Sequence, residues 1–181
     1  MLKKSLPIFL AGMLAVCAIS ACSPKFDWRD YRSNDAPFTA QFPGKPATFT
    51  RPVDLDGMTV NMTMTAAEVD GATFAVGSAE VADPAKARAA LLAMKTALVK
   101  NIAGTVKSEK TASAVASSGA ASSQKSSIDL EASGTQNGAA MLLSARFVAQ
   151  DKRIYEIIVV GPEKHVAREN VDTFIGSVKL N

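Results

Sequence analysis

Few side chains in this chain are of types that do chemistry, and that scarcity narrows its possible activities. There is one imidazole, His165, in 181 residues. A His-centred triad needs a nucleophile and an orienting acid within hydrogen-bond reach. His165 instead follows Pro162 at a helix start, where an exposed ring is expected. The two cysteines, Cys17 and Cys22, both lie near the N-terminus, so one His and no other thiol leave zinc only carboxylates. Asp54-Leu55-Asp56-Gly57 has the spacing of the start of a calcium loop, but the later ligands and the distal Glu are missing. An Asp-Gly hairpin turn accounts for it better. Met58, Met62 and Met64 share one face of an alternating run, which suits a soft metal or an apolar ligand but is already explained as core packing. Glu68, Glu80 and Glu156 are carboxylates of the kind that hydrolyse glycosides in pairs, yet nothing in the sequence pairs them. No Gly-rich phosphate cradle follows a strand. The residues therefore predict no catalytic group, no metal ligand and no cofactor.

The one thiol with a clear chemical context is Cys22. Lys3 and Lys4 precede an uncharged apolar stretch from Ser5 to Ile19, shorter than the ~20 residues of a permanent membrane span. Ile19-Ser20-Ala21-Cys22 then resembles the lipobox of bacterial lipoproteins: an aliphatic residue, two small ones and the Cys. The resemblance implies a signal peptide over residues 1–21, cleavage between Ala21 and Cys22, an S-diacylglyceryl group on Cys22 and acylation of its new amine. Cys17 does not fit, because the bulky Val16 precedes it. Three acyl chains far exceed the marginal membrane hold of one. Ser23, where Asp would retain the product at the inner membrane, implies an outer-membrane lipoprotein facing the periplasm.

Processing of this kind removes Lys3 and Lys4, leaving 18 basic residues against 17 acidic ones, a net charge of +1. That balance gives no electrostatic footprint for nucleic acid. A mean hydropathy of +0.11 with 20% charged residues excludes a wholly disordered chain.

Residues 22–36 are polar and of mixed charge and read as a tether, although Phe26, Trp28 and Tyr31 within it suggest partial docking. A single domain is expected over residues 37–181. Phe38–Phe42 alternates and stops at Pro43-Gly44. Met58–Ala66 is a half-buried strand flanked by Asp56-Gly57 and Asp70-Gly71, and Thr73–Val81 returns antiparallel. Asp83, Pro84 and Gly104 frame a helix with Ala87, Leu91, Met94, Leu98 and Ile102 on one face. Residues 111–125, rich in Ser and Ala, offer little to bury and are expected as a flexible loop. Ser127–Ala132 then reads as a short strand. Ala139–Ala149 and Arg153–Val160 form a hairpin around Asp151-Lys152, and a last helix carries Val171, Phe174 and Ile175 inward. Ser177–Leu180 adds a final short strand. The fold class is α+β, an antiparallel β-sheet with helices packed on it.

Phe38–Pro46, Arg146–Pro162 and Asp172–Leu180 resemble the corresponding stretches of the PsbP-like family, whose namesake is an extrinsic photosystem subunit. The resemblance implies an α/β/α sandwich and a tendency to bind proteins; it transfers no active site. Three functions stay open. The first is a non-enzymatic, membrane-tethered module that contacts an envelope protein. The second is a carrier or sensor of a small apolar ligand. The third is a hydrolase with an unrecognised site.

Overall fold

The computed structural model describes residues 25–118 and 121–181, and the side chains of 25–115 and 123–181. The signal segment, Ala21 and Cys22 lie outside the described residues. Among the described residues, ten strands and two helices follow in order: β1 (Arg29–Arg32), β2 (Phe38–Phe42), β3 (Ala47–Leu55), β4 (Met58–Val69), β5 (Ala72–Glu80), α1 (Pro84–Asn101), β6 (Thr105–Ser118), β7 (Ala121–Gln136), β8 (Ala139–Gln150), β9 (Arg153–Pro162), α2 (Arg168–Ser177) and β10 (Lys179–Leu180). A 3-10 turn at Glu163–His165 precedes α2. Seven strands form one antiparallel sheet in the order β3-β4-β5-β9-β8-β7-β6, and β1-β2-β10 form a small second sheet. The architecture is α+β, as the alternation and short turns predict.

Turn chemistry sets the register. Asp56-Gly57, Asp70-Gly71 and Asn137-Gly138 all have both residues at positive φ, the conformation of tight hairpin turns, which Asx-Gly pairs adopt at least cost. The Asp54 carboxylate accepts from the Gly57 N–H at 3.0 Å, so the supposed calcium loop is a self-capped turn.

Each face of the large sheet buries its own core. On one face α1 covers Ile128, Leu130, Leu143, Phe147 and Ile154 with Ala87, Ala90, Leu91 and Met94. The helix begins where the sequence places it: Asp83 accepts from the Lys86 N–H at 2.9 Å and Pro84 follows. On the other face Phe74, Val76, Tyr155, Ile157 and Val159 pack under α2 and the small sheet.

Two sequence expectations change, and one strand has no counterpart among them. Residues 111–125 are not a loop; those described are the outer halves of β6 and β7 in a regular ladder. Ser and Ala have little β preference, but Ile128, Leu130 and Ala132 lock β7 beneath α1, and once that register is fixed small side chains continue the pairing. Residues 25–36 are not a free tether, since β1 pairs β2 and Phe26, Trp28 and Tyr31 lie against the second core. Finally, β3 is a full strand despite Pro52, which an edge position tolerates because no partner needs its missing N–H.

Phe174 is fully buried, its ring 5.2 Å from Phe42 and 5.5 Å from Phe74. Phe174→Ala should lower stability by ~3–5 kcal/mol in urea unfolding, as large buried aromatics do. Unchanged unfolding would mean that α2 does not clamp the small sheet to the large one.

Candidate functional site

The residues singled out for chemistry do not converge. His165 is half-buried rather than exposed, and its Nδ1 lies 2.6 Å from the Asp70 carbonyl oxygen, tying the 3-10 turn to the β4–β5 turn. Met62 and Met64 are buried in the α1 core and Met58 packs beside them, so this face is packing. Among the described residues no three His, Cys, Asp or Glu side chains gather as a metal site requires. Glu80 pairs with Arg153 at 3.0 Å, on the face opposite Glu156. Glu68 shares the face of Glu156, but its partner Thr73 is four residues along β5 from Gly77, about 13 Å away. The three carboxylates make no catalytic pair.

Among the described residues, Glu156 is the group whose protonation the fold changes most. Register places Phe49, Met64, Gly77, Glu156 and Phe147 in one row across β3, β4, β5, β9 and β8, on the α1 face. Gly77 makes room for the acid, since a Cβ there would lie 2.6 Å from Glu156 Cγ and 2.6 Å from Met64 Sδ. Burial in this apolar row pushes the carboxyl from 4.5 up to about 7, while the Arg51 charge pulls it partly back. A glycine inside a strand was the sequence signal for such a close approach; what it accommodates became visible only once β5 paired with β9. Burial also pushes the Tyr155 hydroxyl up against the opposing charge of Arg153.

On the other face a charged groove of about 360 Å³ runs between α2 and the uncovered parts of β6, β7 and β8. Arg146 pairs with Asp129 at 2.6 Å, while Arg168 bridges Asp172, at 3.1 Å, and Glu131. Those two acids hold the Arg168 guanidinium still more firmly protonated. The groove balances its charges internally and is open to solvent.

The most distinctive surface is the β6 edge. Lys107, Glu109 and Lys110 guard its first half, but no charged residue occurs from Thr111 to Gln124. Val115 is 68% exposed. The opposite edge, β3, carries Arg51, Pro52 and Asp54, the usual guards against unwanted pairing. β7 leaves β8 after the pair Lys125↔Gln150, so the β6–β7 hairpin projects four further residues, about 13 Å. Its base is held by the Asp151 turn, which accepts from the Gln124 N–H at 3.0 Å and from the Ser123 hydroxyl at 2.9 Å. Arg88 of α1 adds a 2.7 Å bond to the Gln124 side chain. This surface is not legible in the sequence, because the Ser- and Ala-rich segment carries no local strand signal.

No protein-family model matches the chain, and no curated protein is significantly similar to it. Among the described residues, no helix is long and apolar enough to cross a membrane.

The raised Glu156 pKa fixes the sign of a pH effect. The folded chain holds this proton where the unfolded chain has lost it, so stability falls as pH rises from 4.5 to about 7 and levels off above that. Glu156→Gln should remove this slope and exceed the native chain by ~1–2 kcal/mol at about pH 8, a discounted figure because the carboxyl is only half-buried. Urea unfolding across pH measures both, and parallel curves for the two proteins would contradict the assignment.

Proposed function

We propose that the chain is a bacterial lipoprotein, acylated at Cys22 and held at the outer membrane facing the periplasm. In this reading its domain is a non-enzymatic module that binds an extended segment of another envelope protein. The observation that carries the binding mode is the uncharged outer half of β6, exposed from Thr111 to Val115. A free strand edge presents a row of unpaired backbone donors and acceptors, and a peptide added there gains main-chain hydrogen bonds without a deep pocket. The contrast with the guarded β3 edge supports recognition at one edge only. The finer fold reading, a PsbP-like α/β/α sandwich, is supported by the resembling segments and agrees with a helix on either face of an antiparallel sheet. The acylation reading rests on the lipobox, the charged start and the uncharged apolar run of the sequence.

Two measurements test the two parts. Cys22→Ser should leave an unprocessed precursor, whereas Cys17→Ser should mature normally. Intact mass should place the acyl groups at Cys22, and a mature chain starting elsewhere would contradict the lipoprotein reading. A photocrosslinker at Ala114 should capture an extended segment of one envelope protein. Ser113→Lys with Val115→Lys should abolish that capture and leave melting unchanged. Capture unaffected by the two lysines, or crosslinks only to β6 of a second copy, would contradict the binding mode.

A further inference from the structure

The first described residues are already part of the fold. Lys25 pairs with Asp70, and the Asp27 N–H donates to the Pro43 carbonyl at 3.0 Å. Phe26 and Trp28 stack on each other at 5.9 Å and meet Phe74 edge-on at 6.1 and 6.2 Å. Only Ser23 and Pro24 separate Lys25 from Cys22. Three residue steps of chain reach at most ~11 Å.

These contacts gather one pole of the molecule. The Asp70-Gly71 turn, the Pro43–Pro46 connection and the Glu163–His165 turn all adjoin the docked segment through the bonds of Asp70 and Pro43. The β5–β9 ladder runs from Thr73↔Val160 at this pole to Glu80↔Arg153 at the other, about 23 Å. The Asp151 turn and the projecting β6–β7 hairpin stand at that far end.

We infer that the acylated chain lies against the bilayer in one fixed orientation, with the pole of Lys25, Lys45, Asp70 and Lys164 on the lipid headgroups and the β6–β7 arm pointing away. The inference rests on the Cys22 lipoprotein reading. The occupant of this pole is a phospholipid surface because the chain that would carry the acyl groups ends there, too short to let the domain swing. Lys25, Lys45 and Lys164 are exposed and offer headgroup contacts, while Asp27, Asp70 and Glu163 balance them. The acyl chains therefore supply the affinity, and the short link supplies the orientation. The half-buried Trp28 and Phe26 rings suit the interfacial layer, where aromatic side chains with one apolar and one wet side are favoured.

Trp28 is the sole tryptophan, so its own fluorescence reports the distance. The full lipidated protein is reconstituted into phosphatidylethanolamine and phosphatidylglycerol vesicles containing a headgroup spin-labelled lipid. Trp28 should be quenched several-fold more strongly than the single tryptophan of a Trp28→Phe, Val115→Trp variant, whose probe sits in the arm. A long Gly/Ser insert between Pro24 and Lys25 should bring Trp28 quenching down to the arm's level. Equal quenching at the two positions, or no effect of the insert, would overturn the orientation. Intact mass of the same sample separates the two readings. Absent acyl groups overturn the lipoprotein reading, whereas full acylation with equal quenching overturns only the orientation.

Discussion

The packing around Phe74 is the contact on which the other arrangements depend. This fully buried ring, on a central strand of the large sheet, meets Phe26, Trp28 and Phe174, and Phe174 in turn meets Phe42. One aromatic cluster thus joins the N-terminal segment, the small sheet and α2 to the large sheet. Edge-on ring contacts contribute about 0.5–1.5 kcal/mol each beyond the area they bury, and they fix angle as well as distance. Because the N-terminal segment is one of the partners, the packing that stabilises the α2 face also fixes where the chain enters the domain.

That entry point divides the molecule into two ends with different surface chemistry. Charges and tight turns crowd the entry pole, where Lys25 and His165 converge on Asp70. The far end carries the uncharged strand edge, stiffened at its base by Asp151 and Arg88. An edge without charged guards is open to strand addition, in contrast with the β3 edge, where Arg51, Pro52 and Asp54 discourage it. The half-buried Glu156 lies between the two ends as a local cost, set by apolar neighbours and by the absence of a side chain at Gly77.

Most of the elements were legible in the sequence because they obey short-range rules. Asp83 and Pro84 mark the α1 start, the Asx-Gly pairs mark three hairpins, and the period-two runs of β4, β8 and β9 mark the strands. What escaped depended on distant partners. Thr111–Ser118 is a strand only because β7 is pinned beneath α1, and no local property of those residues says so. β3 hides behind Pro52, whose missing N–H is harmless only at an edge. Phe26 and Trp28 hinted at docking, but their receptor, Phe74, lies far along the chain. The site followed the same rule: the alternating methionines read correctly as core, whereas the unusual environment of Glu156 required the β5–β9 register.

The central claim is that residues 25–36 belong to the fold and are not a leash. Native-state hydrogen exchange tests it residue by residue. The amides of Asp27 and of Arg29–Arg32 that donate within the fold should exchange in step with their partner strand β2, at rates far below those of a free peptide. Exchange of these amides at free-peptide rates, while the seven-stranded sheet stays protected, would contradict it.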